Sequence, residues 1–295
     1  MTPPAVENPG MEVHIHPFQL YSVYRKELKP LFLHTSPEFC MKELIASDEG
    51  FNKIFTLTYS FRDEPESPIH RPQFIMLEWY RKNERFESIM KDMEELIQYI
   101  IKNGPQRGLR LRDSISSSKI IKKTMQEIFQ DELGIDILQY LDVASIKNLL
   151  NRFPEVPVPN SELEWDDYFF LLYLNKIEPS ISKKYPLLML SEFPAPLSAL
   201  STLKESDPRV CERFEVYING IEVCNCFNEL TNSSEQKRRF NDQSRLKNKI
   251  YNYDLPEPKS FYKTMDSGFP PCAGIALGVE RILYTIFEVE NPFYN

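Results

Sequence analysis

Apolar and polar residues alternate cleanly from Asn52 to Arg62. Phe55, Leu57, Tyr59 and Phe61 fall on one side and Thr56, Thr58, Ser60 and Arg62 on the other, the period of a strand. Gln73 to Tyr80 repeats the pattern, with Ile75, Leu77 and Trp79 on one face and Phe74, Met76, Glu78 and Tyr80 on the opposite one. The period then becomes helical. From Asn83 to Lys102, residues Phe86, Ile89, Met90, Met93, Leu96, Ile97, Ile100 and Ile101 recur at three- and four-residue steps, until Asn103-Gly104-Pro105 stops the helix. Earlier, in a stretch of strands from Phe18, Ser36-Pro37-Glu38 reads as a helix start: Ser36 can cap, Pro37 suits the first position, and Glu38 favours the positive end of the dipole. Residues 114 to 180 read as mainly helical, and strands return from about Leu187. Cys211 to Ile218 and Ile221 to Phe227 flank Asn219-Gly220, the strongest short hairpin signal. A last strand, Gly274 to Val279, runs into a helix beginning near Glu280. Hairpins and alternating strands dominate, so the order predicts an α+β fold with an antiparallel β-sheet flanked by helices.

Composition narrows the partners. The 295 residues carry a net charge of −8, and no basic face is visible; Lys237-Arg238-Arg239 is one short run on a helix. Proteins that hold nucleic acid through many phosphate contacts show such a face, so a transfer RNA partner is disfavoured. The longest apolar run, Phe169 to Leu174, is far too short for a bilayer, and no basic-then-apolar leader opens the chain. A cytoplasmic protein without membrane partners is expected. Five cysteines and four histidines are scattered without a CxxC pair, which reads as packed, reduced thiols rather than a zinc site. With 9 glycines against 23 prolines the loops are stiff, and no Rossmann or P-loop glycine pattern appears.

Three constellations carry chemistry. A two-residue Asn219-Gly220 turn places Tyr217 opposite Glu222, and Glu215 shares the face of Tyr217. The carboxylates of Glu215 and Glu222 are then diagonal neighbours, roughly 7–8 Å apart at the backbone. They are either two solvated surface groups or a seat for magnesium with nucleotide phosphates. The second constellation runs from Phe61-Arg62-Asp63-Glu64 through a proline-rich loop to His70-Arg71-Pro72-Gln73-Phe74. It is either a polar hairpin with one buried phenylalanine or a clamp for a phosphate with a ring to stack on a base. The third, Gly274-Ile275-Ala276-Leu277-Gly278-Val279-Glu280-Arg281, is a small-residue strand that permits close approach of a ligand and ends on an arginine.

Taken together, their order and spacing resemble the class II aminoacyl-tRNA synthetases of the lysyl type. Phe61-Arg62-Asp63-Glu64 through Met76-Leu77-Glu78-Trp79-Tyr80 resembles motif 2 and its extension, and Gly278-Val279-Glu280-Arg281 resembles motif 3. Glu215 to Glu229, reading EVYINGIEVCNCFNE, resembles the lysyl metal and amino-acid segment. Thr35-Ser36-Pro37-Glu38 and Phe193-Pro194-Ala195 resemble the paralogues without an anticodon-binding domain, the β-lysine ligases. Ser36 and Ala276 point the same way: lysyl-tRNA synthetases generally carry alanine and glycine there, the β-lysine ligases serine and alanine.

The resemblance implies one class II catalytic domain over residues 1–295, with a helical insertion at about 105–185 and no anticodon-binding domain. Met1-Thr2-Pro3 aligns with the end of motif 1, so the start is expected to lie within that motif. The implied activity is ATP-dependent formation of a (R)-β-lysyl adenylate and transfer to a lysine side chain of elongation factor P, with magnesium as the metal. The alternatives are another acceptor such as transfer RNA, or a non-catalytic regulatory protein. A homodimer is expected from the family, although motif 1, which builds its interface, is incomplete. Residue by residue, the resemblance implies that Arg62 holds the α-phosphate, with Glu64 near the adenine and Phe74 stacking on it. His70 and Arg281 would bind the outer phosphates, and Glu215 and Glu222 the magnesium. Ser36, Glu38, Glu78, Tyr80, Asn225, Glu229 and Ala276 would line the amino-acid pocket. The chain departs from the family at Cys226, where glycine is usual, and in the Pro65-Glu66-Ser67-Pro68-Ile69 loop, which lacks a glycine and a basic residue. Simple alternation also puts Asn225 with Val223 and Phe227, so its implied role requires a bulge or a strand end.

Overall fold

A computed structural model of the chain describes residues 2–24, 29–47, 50–116 and 118–293; Met1, where the sequence meets motif 1, lies outside them. In chain order come three short strands, β1 (Ala5–Val6), β2 (Gln19–Leu20) and β3 (Leu31–Leu33), then α1 (Glu38–Ala46), β4 (Lys53–Phe61) and β5 (Gln73–Lys82). Next are α2 (Phe86–Asn103), α3 (Asp113–Ser116), β6 (Ile121–Thr124), α4 (Met125–Leu133), α5 (Val143–Leu150), α6 (Trp165–Leu172) and α7 (Glu178–Lys184). Strands β7 (Leu187–Pro194), β8 (Leu203–Lys204), β9 (Asp207–Ile218) and β10 (Ile221–Asn228) follow. The chain closes with α8 (Ser233–Tyr251), α9 (Lys259–Asp266), β11 (Cys272–Gly278) and α10 (Val279–Ile286). Among the described residues no helix is long and apolar enough to cross a membrane.

These elements fall into two units, residues 1–89 with 229–284 and 289–295, and residues 90–228 with 285–288. In the first unit β5 is flanked antiparallel by β4 and by β11. The register sets Tyr80, Glu78 and Met76 beside Gly274, Ala276 and Gly278 on β11, and beside Ile54, Thr56 and Thr58 on β4. Phe74, Met76, Glu78 and Tyr80 therefore share a face, as the alternation predicts. On β4 burial runs opposite to hydropathy. Phe55, Leu57 and Tyr59 are 75, 61 and 45 % exposed, while Ser60 is fully buried. The polar side of this strand is the one that faces Glu78 and Tyr80 across the pairing, which is why it turns inward. Helix α1 begins at Glu38 with Pro37 in the capping position, one residue later than expected. The Ser36 hydroxyl still accepts a hydrogen bond from the Glu38 N–H at 3.4 Å. Phe39 of α1 stacks on Phe261 of α9 at 4.7 Å between centroids, which ties the pocket-bearing helix to the unit's core.

In the second unit β9 is paired antiparallel with β10 and β7, as hairpin chemistry dictates. Asn219 (φ 49°) and Gly220 (φ 80°) both take the left-handed conformation of a two-residue turn. A Cβ on Gly220 would also lie 2.3 Å from that of Ser182, so glycine is required twice over. Among the described residues the segment expected to be helical carries five α-helices, with Phe129, Phe169 and Ile146 completely buried among them. It also holds β6, which runs parallel to β7, so the sheet is antiparallel with one parallel pair. Four residues, Ile121–Thr124, are too few to show a period in sequence.

Candidate functional site

Each unit carries part of the expected constellation. In the first unit, Glu38 and Lys42 lie one turn apart on α1, and Glu78 and Tyr80 come from β5. Glu229 is anchored by its N–H to the Cys272 carbonyl at the start of β11. The Lys42 ammonium sits 2.5 Å from Glu38 Oε1 and 2.6 Å from Glu229 Oε2. Tyr80 donates its hydroxyl to Glu78 Oε2 at 3.3 Å, whereas Glu78 Oε1 is buried without a hydrogen-bond partner among the described residues. Two carboxylates thus share one ammonium, and the third, that of Glu78, lies close enough to feel its charge. Burial raises the Glu78 carboxyl well above the ordinary range, with the Glu38 charge adding to it and Lys42 opposing. Burial also pushes Glu229 up to about 8, against the pull of Lys42. Burial alone would lower Lys42, but the Glu229 and Glu38 carboxylates raise it above the usual lysine range. A buried set of this composition has a deficit of positive charge that a ligand with ammonium groups would fill.

Gly274 makes room for this arrangement. A Cβ there would lie 2.1 Å from the Tyr80 ring and 2.8 Å from Glu229 Oε1. Ala276, directly opposite Glu78, is the next residue of β11 on the same face.

The same unit gathers the cations expected at phosphates. Arg62 lies with its guanidinium 5.3 Å from the Phe74 ring centroid and donates Nε to the Thr35 carbonyl at 3.4 Å. His70 Nδ1 meets the Ser67 hydroxyl at 2.8 Å, closing the Ser67–His70 bridge at the tip of the loop. Arg281 Nε donates to the Ile69 carbonyl at 3.3 Å. His70 is held below the usual histidine range, chiefly by burial and next by the Arg281 charge, with Arg62 adding and Glu64 opposing. Arg62, His70, Arg281 and Glu64 are thus close enough to feel one another. Glu280, which the sequence reading missed, accepts the Ile75 N–H with both oxygens at 2.8 and 3.0 Å. It pins the start of α10, and so Arg281, to the strand that carries Phe74.

In the second unit Glu222 stands opposite Tyr217, as expected. A bulge at Val223 then moves Asn225 opposite Glu215, supplying the irregularity that its implied role requires. The same bulge sends Cys226 to a fully buried position opposite Phe214. It lies on the face away from Asn225, so the departure from glycine does not narrow the Asn225 side. Glu215 accepts hydrogen bonds from Arg213 and from the Tyr217 hydroxyl. Arg213, also missed, lies 4.6 and 5.5 Å from the Phe193 and Phe227 ring centroids and donates Nε to Asn225 Oδ1 at 3.0 Å. Its position two residues before Glu215 on the same strand face was the available signal. Two carboxylates with spare oxygen lone pairs suit magnesium, which completes its shell with phosphate and water oxygens. Four of the five cysteines are buried and none is in a disulfide. Among the described residues no group of three or more His, Cys, Asp or Glu could hold a metal by itself.

Comparison with known proteins gives these features a common context. Residues 1–291 match the family model for tRNA synthetases class II (D, K and N). A protein of Pseudoalteromonas translucida (strain TAC 125), named elongation factor P–(R)-β-lysine ligase, is 35 % identical over 264 residues, 88 % of this chain and 75 % of that one. Proteins of the same name from Histophilus somni (strain 2336) and Vibrio vulnificus (strain YJ016) are 33 % and 34 % identical. They are matched over 98 % and 94 % of this chain, and over 84 % and 83 % of their own lengths. The α+β fold and these matches agree: the chain belongs to the class II tRNA synthetases of the D, K and N type.

Proposed function

We propose that the chain is a ligase that activates (R)-β-lysine with ATP and transfers it to elongation factor P. The observation that carries this reading is the buried set Glu38, Glu78 and Glu229 around a single Lys42. A lysine-like amino acid supplies two ammonium groups, which would replace the protons that burial favours on Glu78 and Glu229 and leave all three carboxylates paired with cations. The names of the relatives support the β-isomer and the acceptor. So does Ala276, whose methyl removes space on the face of Glu78.

In this reading ATP takes the cationic side of the first unit. Arg62 and Arg281 bind the phosphates, His70 joins them, Phe74 stacks on the adenine, and Glu64 lies near that base. Glu215 and Glu222 would hold magnesium, which supplies neutralising charge to the phosphates. Ser36, Tyr80 and Asn225 complete the amino-acid contacts. No side chain need act as a nucleophile, because the substrate carboxylate attacks the α-phosphorus and pyrophosphate leaves. Arg62 stabilises the charge that develops there, so catalysis is positioning and electrostatics. An amine of the acceptor then attacks the acyl carbon and releases AMP. We take residues 1–295 to form one catalytic domain, working in the cytoplasm. A homodimer formed over the exposed Phe55, Leu57 and Tyr59 face of β4 is the assembly we favour.

The test is intact-mass analysis of elongation factor P after incubation with the chain, ATP, magnesium and (R)-β-lysine. A gain of one lysyl residue is expected. Elongation factor P left unmodified, with lysine transfer RNA charged instead, would favour the tRNA acceptor.

A further inference from the structure

Lys42 is 2 % exposed, and the reaction described above gives its ammonium no task. We propose that Lys42 is a positioning residue for the amino acid: its ammonium stands between Glu38 and Glu229, holds both side chains in place and favours release of the Glu229 proton when the ammonium groups of the substrate arrive. This rests on the reading that these carboxylates receive the amino acid.

The groups that face one another here come from every wall of the site. Helix α1 supplies Glu38 and Lys42, β5 supplies Glu78 and Tyr80, and the segment before α8 supplies Glu229. Cys272 of β11 and Glu12 of the N-terminal segment are close enough to act on this set, and Arg62 and Lys247 act in turn on Glu12. A buried carboxylate without a cation is neutralised by binding a proton. A protonated carboxyl is a poor partner for an incoming ammonium. Burial already drives Glu78 and Glu229 toward that state, and Lys42 is the cation that opposes it at both. Its two contacts, at 2.5 and 2.6 Å, place one charge where it serves two carboxylates at once. With Lys42 neutral the empty pocket keeps the Glu229 proton to higher pH than wild type does. That proton must leave when a diammonium ligand enters, so affinity goes on rising with pH where wild type has levelled off.

The experiment has two arms on the full chain: wild type, Lys42→Met, Lys42→Gln and Lys42→Arg. In the first, binding of (R)-β-lysine without ATP is followed by calorimetry from pH 6.5 to 8.5. Lys42→Met should bind at least tenfold more weakly from pH 6.5 to 7.5, with the gap narrowing above about pH 8, where the wild-type Glu229 proton is already leaving. Lys42→Arg, which keeps the cation, should retain the wild-type slope. A purely structural role would weaken binding equally at every pH, and parallel profiles overturn the proposal. The second arm needs no ligand. Difference titration of the empty proteins should show Lys42→Gln taking up fewer protons than wild type between pH 8.5 and 6.5, because its Glu229 proton is already bound at the upper limit; equal uptake overturns the proposal. Wild type that fails to bind (R)-β-lysine would instead count against the substrate reading, leaving the titration to judge Lys42.

Discussion

Ala276 stands directly across from Glu78 in the β11–β5 pairing, two residues from a glycine that tolerates no side chain at all. Moving an amino group from the α to the β carbon shifts one ammonium by about one bond, a displacement that a single methyl can sense. Such discrimination is worth roughly 1–3 kcal/mol, or about 10- to 200-fold. Ala276→Gly is therefore expected to raise pyrophosphate exchange with α-lysine relative to (R)-β-lysine, while Arg281→Ala lowers both alike. His70 gives a second residue-scale prediction. Burial and the neighbouring Arg281 and Arg62 charges hold it below its ordinary range of about 6.5. Without ligand it thus contributes stability that is present above that value and lost as pH falls through the folded-state value. Phosphates beside it reverse the sign by favouring the imidazolium. The rise in melting temperature given by ATP should then be larger at pH 6 than at pH 8, and His70→Gln should remove the difference attributable to this ring. An ATP-induced shift with the same pH dependence in wild type and variant would separate His70 from the phosphates.

At the scale of elements, the strand periods of β4 and β5, the helix α2 and the Asn219-Gly220 hairpin were all legible, because each rests on a local period or a turn dipeptide. Which face of β4 is covered was not. Alternation separates two faces, but the polar one turns inward here to meet Glu78 and Tyr80, leaving Phe55 and Leu57 outside. Strand β6 escaped because four residues carry no period, and its partner lies more than sixty residues further along the chain. The site divides in the same way. Glu38, Glu78, Tyr80 and Glu229 came from motif resemblance and do converge, and spacing placed Glu215 and Glu222 as diagonal neighbours. Lys42, Arg213 and Glu280 act through partners that only the folded chain reveals. In the hairpin, Glu222 is expected to serve magnesium, so Glu222→Gln should raise the magnesium needed for half-maximal pyrophosphate exchange by about tenfold. Normal activity at unchanged magnesium dependence would return Glu222 to the role of a surface charge.

For the whole molecule, the family match over residues 1–291 makes this a synthetase-type chain, and its net charge of −8 supplies no excess of positive charge for an extended nucleic acid. No submicromolar, salt-dependent complex with lysine transfer RNA is expected. An edge strand with an exposed apolar face is costly for a monomer, and a second copy is the occupant the family suggests. Leu57→Glu should shift the sedimentation of the chain from dimer to monomer; identical sedimentation of the two proteins would place the interface elsewhere. The central claim, that this is a class II ligase whose carboxylate pocket selects β-lysine, is tested most directly by amino-acid-dependent ATP–pyrophosphate exchange with (R)-β-lysine and α-lysine side by side. Exchange that depends on magnesium and is at least tenfold more efficient with (R)-β-lysine is the predicted result. No exchange with either isomer, or a preference for α-lysine, would contradict it.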